Sequence, residues 1–293
     1  TSPGISDRFF RTPTPHMTHP LDDIITTILG LYAEGQFPMA HPDGAIYLYD
    51  PDPRGVIPLD DGALRVSRSL RQRVRSGRFR ITTDRAFGQV IRACAEPRPA
   101  PADEDDTDDD GAQDETWISE DLIQIYEALH LAGHAHSIEA WLDVPGDEAS
   151  DHSTAKPTLV GGLYGVHLRG LFAGESMFSK PGLGGTDASK VCLVHLWHHL
   201  RARGFTLLDT QFTTPHLERL GAVEVTREEY KARLTEALEF TTSGTSPSAT
   251  SVQRSPHSGH RTPVSPPIWM NGSPIRLCRH DAHRARSICF LSA

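Results

Sequence analysis

The chain has 293 residues, 38% of them apolar, enough for a sizeable core in one large domain or two small ones. No stretch approaches the roughly 18 apolar residues of a membrane-crossing helix, and the opening TSPGISDRFFRTPTPHM lacks the apolar run of a secretory signal. The net charge of −9 is local: residues 103–115 carry nine acids and no base, and without them acids and bases balance at 29 each.

Residues 1–19 show no period and read as a loose leader. Leu21, Ile24, Ile25, Ile28 and Tyr32 recur at i, i+3, i+4 and i+7, predicting an amphipathic helix closed by Gly35. Residues 36–60 are punctuated by Pro and Gly, with a short strand at Ala45–Tyr49 and a turn at Asp50–Pro53. Arg65, Arg68, Arg71, Arg73, Arg75, Arg78, Arg80 and Arg85 then stand against a single acid, Asp84. Such density fits either a solvated helix face or a phosphate-binding surface. Asp84 is expected to cap a helix that buries Phe87, Val90, Ile91 and Cys94.

Residues 20–96 thus form the N-terminal part, with its basic segment, and 97–115 a disordered acidic insertion. A second ordered region, 116–240, opens on Thr116-Trp117-Ile118-Ser119, with Ser119 as N-cap of a helix whose stripe is Leu122, Ile125, Tyr126 and Leu129. His136–Leu142 and Leu159–Val166 read as a hairpin with a polar tip, followed by a strand at Leu171–Phe178. A Gly-rich loop leads into a helix carrying Val191, Leu193, Val194, Leu196, Trp197 and Leu200. A strand at 206–211, a short helix near Pro215–Leu220, a strand at Ala222–Val225 and a last helix opened by the capping box Thr226–Glu229 complete the region. From about Thr241 the chain turns to Ser, Thr and Pro, and 241–293 reads as a disordered tail. The fold class is α+β, a mixed α/β core with helices on its faces.

Cys94, Cys192, Cys278 and Cys289 show no disulfide or metal spacing. Cys94 and Cys192 sit in apolar helical patterns as small hydrophobes, which fits a reducing, cytoplasmic setting. His195, His198 and His199 have helical metal spacing but no accompanying acid or Cys, and read as structural or surface residues. The loop Lys180–Gly185 before a helix superficially suits the pyrophosphate of an acyl-CoA. Glu175 and Asp209 differ from all of these, because each ends an apolar strand where an unpaired carboxylate would be costly. Each alone could be satisfied by backbone N–H groups in a turn. Gln211, two residues after Asp209, belongs to the same strand face, and an acid beside an amide can bind an amine.

Taken in order, LYAEGQFP, YDPDPRGVIP, SRSLR, AFGQVIRACA, TWIS, YEALHLAGHAHSIEAW, GGLYGVHLRGLFAGESMFS, ASK and LLDTQFTTPHLERLGAVEV resemble the leucyl/phenylalanyl-tRNA–protein transferase family from about Leu31 to Leu238. The resemblance implies an acetyltransferase-like (GNAT-type) core with a flanking N-terminal helix and strand region. It also implies transfer of Leu, Phe or Met from aminoacyl-tRNA to proteins with an N-terminal Arg or Lys, marking them for N-end-rule degradation. Glu175, beside Gly174, would hold the aminoacyl α-amino group, while Leu163, Phe172 and Leu196 would shape the side-chain pocket. Trp117 and Tyr49 would frame the terminal adenosine, and Asp209 with Gln211 would position and activate the acceptor amine. Arg65, Arg68, Arg71, Arg73 and Arg75 would meet the acceptor-stem phosphates. No cofactor or metal is implied, and no membrane; a monomer is the default. The family usually has Trp at Tyr49, often Met at Leu163 and a larger aromatic at Leu196. Two other classes fit the residues less well: an acyl-CoA-dependent N-acyltransferase and a non-catalytic RNA-binding protein of the same fold.

Overall fold

The computed structural model describes residues 20–97, 116–144, 156–240 and 277–279. The proposed leader, most of the acidic insertion, the tip of the central hairpin and nearly all of the tail lie outside the described residues.

Helix α1 (Pro20–Ala33) buries Ile28 and Tyr32 as its period requires, and Gly35 follows at φ 79°. Strands β1 (Phe37–Ala40) and β2 (Ile46–Tyr49) pair antiparallel. Strand β3 (Arg54–Ile57) follows, buried along its whole length. Its residues sit in the Pro/Gly-punctuated stretch read above as having only the 45–49 strand. A four-residue strand starting Arg-Gly has little β signal of its own, and its neighbours define it.

Helix α2 (Arg68–Arg75), capped by the Ser67 hydroxyl, and β4 (Arg80–Thr83) come next, then α3 (Phe87–Cys94) with all four predicted apolar residues buried. Asp84 does not cap α3. It adopts a left-handed backbone (φ 57°), accepts from Ser137 N at 2.9 Å and pairs with His136. The buried Glu139 of a strand more than 50 residues away accepts from the N–H groups of Arg85 and Ala86 and so ties down the chain entering α3, which has no side-chain cap.

Helix α4 (Glu120–Leu131) begins at Ser119, whose hydroxyl accepts from Leu122 N. The hairpin of β5 (Ala135–Val144) and β6 (Lys156–Leu168) continues into β7 (Leu171–Ser179), all antiparallel. Helix α5 (Ala188–Ala202) then crosses to β8 (Leu207–Gln211), which pairs parallel to β7. A short α6 (Pro215–Arg219), β9 (Val223–Val225) and α7 (Arg227–Glu239) complete the main body, α7 being capped by the Thr226 hydroxyl as its capping box predicts. Within the tail read as disordered, residues 277–279 instead form β10 (Leu277–Arg279), parallel to β2.

The main sheet has seven strands in the order β4-β5-β6-β7-β8-β3-β9. One core cluster joins its first face to α1, α3 and α4, and a second packs α5 on the opposite face. Within the described residues the protein is therefore a mixed α/β structure built on a large mixed sheet.

Of the three register shifts in the described residues of the sheet, two lie side by side. Leu163, Tyr164 and Gly165 oppose Met177, Ser176 and Gly174, so Glu175 is an extra residue on β7. Gly55 and Val56 oppose Gln211 and Asp209, which makes Thr210 an extra residue on β8. Between them the β7–β8 pairing ends at Ala173–Asp209, and a Cβ built on Gly174 would meet only the Asp209 carbonyl, at 3.4 Å. Bulges bend strands and re-aim side chains. Here two of them open the seam between the parallel strands.

Gly55 is required by the second bulge. A Cβ there would lie 2.6 Å from both the carbonyl carbon and oxygen of Phe212 and 2.9 Å from the Thr210 hydroxyl. Backbone atoms cannot rotate away as a side-chain tip can. Gly55→Ala should cost about 2 kcal/mol or more, read as a lowered denaturant midpoint at unchanged m-value.

Candidate active site

The β7 bulge decides where Glu175 points. On the preceding residues Phe172 faces α5 and Ala173 faces the α1/α4 side, so Glu175 continues on the side of Ala173. The extra residue then shifts the phase, which returns Met177 to the α5 face and Phe178 to the other. Glu175 is fully buried and accepts from Tyr32 Oη at 2.7 Å on Oε1 and from Tyr126 Oη at 3.1 Å on Oε2. The two hydroxyls are themselves 2.9 Å apart.

Burial pushes the Glu175 carboxyl up from 4.5 to about 7, and the nearby Asp209 charge adds to the rise. The hydrogen bond from Tyr32, a looser polar contact from the Gln211 side chain and the hydrogen bond from Tyr126 oppose it without cancelling it. Burial and the Glu175 charge hold Tyr32 and Tyr126 well above their ordinary range, so both remain neutral donors. Each Glu175 oxygen receives one hydroxyl, which leaves acceptor capacity for a further donor.

Asp209 is equally buried but fully engaged. Arg54 Nε donates to Oδ1 at 2.9 Å and Arg54 Nη2 to Oδ2 at 2.6 Å. Gln211 N donates to Oδ1 at 2.8 Å and Tyr230 Oη to Oδ2 at 2.8 Å. A carboxylate offers about four lone-pair directions, and four donors occupy them. The Arg54 guanidinium is 1% exposed and lies between the rings of Phe37, 4.7 Å away, and Tyr230, 4.3 Å away. Its remaining nitrogen, Nη1, donates to the Gly35 carbonyl at 2.9 Å.

Gln211 completes the group. Its backbone is left-handed at φ 63°, a conformation that costs a non-glycine residue of order 1–3 kcal/mol. Its side-chain amide is buried in polar contact with Glu175, whose charged form it favours, yet neither Oε1 nor Nε2 makes a hydrogen bond of normal geometry. A buried amide left open in this way is a ready receptor for a polar ligand.

The other predicted residues fall on two sides of the seam. Leu163, Phe172 and Leu196 pack together with Met177 and Leu208 on the α5 face. Trp117 and Tyr49 belong to the opposite cluster with Tyr32, Tyr126 and Phe178, and Tyr49 stacks on Phe37 at 6.0 Å. An open groove of about 920 Å3 at the C-terminal end of α5 is lined partly by Phe172 and Leu196 but reaches none of Glu175, Asp209 and Gln211. Depth in the surface and polar chemistry therefore do not coincide here.

Arg65, Arg68, Arg71 and Arg75 are exposed, whereas Arg73 pairs with Asp187 at 3.2 Å. Asp187 precedes α5 and also binds Lys190 at 2.7 Å, so a carboxylate stands where an acyl-CoA pyrophosphate would need an anion site. Among the described residues no group of three His, Cys, Asp or Glu side chains could hold a metal ion, and no helix is long and apolar enough to cross a membrane.

Arg54, Tyr230, Tyr32 and Tyr126 are members of the site that reading the residues alone missed. Arg54 follows the turn at Asp50–Pro53 in a stretch punctuated by Pro and Gly, and Tyr32 and Tyr126 look like ordinary stripe residues.

Comparison with known proteins matches residues 56–235 to the leucyl/phenylalanyl-tRNA protein transferase family model. A transferase of that name from Herpetosiphon aurantiacus is 50% identical over 208 residues, spanning 71% of this chain and 91% of the relative. Those from Maricaulis maris and Rubrobacter xylanophilus are each 46% identical, over 215 and 209 residues, covering 73% and 71% of this chain and 85% and 92% of the relatives. Two buried acids and an open amide at a split seam thus belong to an enzyme of the aminoacyltransferase class. The chain is a member of the leucyl/phenylalanyl-tRNA–protein transferase family, as its motifs indicated.

Proposed function

We propose that the protein transfers leucine or phenylalanine, and also methionine, from aminoacyl-tRNA to the N-terminal Arg or Lys of acceptor proteins, forming a peptide bond that marks them for N-end-rule degradation. The observation that carries this reading is the buried Glu175 carboxylate with open acceptor capacity beside the buried Gln211 amide, which makes no hydrogen bond of normal geometry. The α-amino group of the aminoacyl ester would complete Glu175, and the seam beyond Ala173–Asp209 would let its side chain reach Leu163, Phe172 and Leu196. An apolar pocket of that kind rejects charged side chains by desolvation and separates near-isosteres poorly. Tyr49, Leu163 and Leu196 tune its volume, and Trp117 and Tyr49 would receive the terminal adenosine.

The acceptor α-amine, with an ordinary pKa of about 8, is substantially neutral near pH 7 and needs orientation more than activation. Gln211, held by Asp209, would orient it toward the ester carbon, where the amine nitrogen bonds as the tRNA ribose oxygen departs and takes up the proton that the nitrogen loses. Placing two reactants together supplies much of the rate by itself. The reaction calls for no cofactor, and its aminoacyl-tRNA donor belongs to the cytoplasm. A monomer suffices, since every group invoked comes from one chain. An acetyltransferase-like core is supported by antiparallel strands leading to a parallel pair split at a bulge and joined by a helical crossover.

The test offers the protein Leu-tRNA or acetyl-CoA with a peptide beginning in Arg. Leucine transfer from the first donor and no acetylation from the second is the expected result. Acetylation, or tRNA binding without transfer to any Arg or Lys peptide, would overturn the proposal.

Arg68, Arg71 and Arg75 occupy one exposed face of α2, at i, i+3 and i+7. Reversing all three to Glu should weaken tRNA binding and make log K against log salt shallower by about 2 to 3, one released counterion per lost contact. An unchanged slope would return the helix to a solvated face.

A further inference from the structure

The Arg54 guanidinium is buried between two aromatic rings and spends two nitrogens on Asp209. Tyr230, brought in by α7, donates to the same carboxylate. Asp209 in turn accepts from the backbone N–H of Gln211, whose left-handed φ falls at the β8 bulge, opposite Gly55. Each contact fixes the next, and the last member carries a buried side-chain amide beside Glu175 whose polar atoms make no hydrogen bond of normal geometry.

We infer that Arg54 and Tyr230 are positioning residues of the transfer reaction, acting through Asp209 to hold the Gln211 backbone left-handed and aim its amide at the acceptor amine. The inference rests on the role proposed for Gln211. Asp209, with all four lone-pair directions occupied, is a strut in this arrangement and does not take the amine proton. Arg is needed rather than Lys, because only the planar fork makes the bidentate contact while its third nitrogen reaches the Gly35 carbonyl.

The experiment measures single-turnover leucine transfer from Leu-tRNA to an Arg peptide, and Leu-tRNA affinity, for Arg54→Lys, Tyr230→Phe, Gln211→Ala and the double variants. Arg54→Lys should slow transfer by about 100-fold, the scale expected for a misplaced reacting group, with Leu-tRNA affinity changed less than about threefold. Combined with Gln211→Ala it should slow transfer little further, because both changes remove one function. Tyr230→Phe, neutral and nearly isosteric, should show the same non-additivity at smaller amplitude, and it serves alone should Arg54→Lys fail to fold. Losses that multiply in the double variants, or that appear in tRNA affinity, would reduce Arg54 and Tyr230 to structural residues and overturn the inference. Full transfer by Gln211→Ala would overturn the role of Gln211 first and this inference with it.

Discussion

Glu175→Gln should make the protein more stable above neutral pH and nearly inactive. The Glu175 carboxyl is raised from 4.5 to about 7 in the folded protein, so folding takes up a proton between those values. The contribution of the protonated form is fully present below about 4.5 and is lost as pH rises through 7. Glutamine carries no such titration and can still accept from one tyrosine and donate to the other. The variant should therefore match the parent near pH 4 and exceed it by about 2–3 kcal/mol at pH 8, a rise in Tm of roughly 5–10 °C. Leucine transfer should fall by about 100-fold or more, because a neutral amide replaces the charged acceptor proposed for the substrate amine. Thermal scans at pH 4, 6 and 8 beside a transfer assay check both halves. Equal stability at every pH would mean that burial does not strain this carboxylate.

Asp209→Ala should have the larger effect on the fold. The substitution strands the Arg54 guanidinium, 1% exposed, with no counter-charge. Removing one partner of a buried pair costs about 3–5 kcal/mol, enough to lower Tm by roughly 10 °C. Loss of activity in this variant therefore reports on folding as much as chemistry. Pairing it with Arg54→Met, which removes both charges and keeps an apolar filler, should recover much of the stability and none of the transfer. Denaturant midpoints of the single and double variants decide the matter. A double variant no more stable than the single would show that the ion pair is not what Asp209 contributes to the fold.

How far the residues alone could be read depends on where the physics is local. The helices of Ile28 and Tyr32, of Leu122 to Leu129 and of Val191 to Leu200 all announce themselves by a 3.6-residue period, and their stripes are buried. Strands β3 and β4 carry only four residues each and gain their identity from partners far away in the chain. Glu175, Asp209 and Gln211 could be singled out because apolar strands seldom end in buried polar groups. Their arrangement could not, since strict alternation along β7 and β8 fails at Glu175 and Thr210, and bulges are set by tertiary pairing. Arg54 was hidden for a related reason: a cation buried against an acid 155 residues later leaves no pattern near itself. The family resemblance was legible because its motifs cluster on these same strands. Asp84 does not cap α3 because Ser137 and His136 of β5, far away in the chain, engage its carboxylate.

The account turns on Glu175 reading the free α-amino group of the donor. Leu-tRNA and N-acetyl-Leu-tRNA share the leucine side chain, the ester and the tRNA, and differ only at that group. Offered both with an Arg peptide, the protein should use Leu-tRNA at least about 100-fold faster, and Glu175→Gln should lose most of that preference. Equal transfer of leucine and acetyl-leucine by the unaltered protein would contradict the assignment.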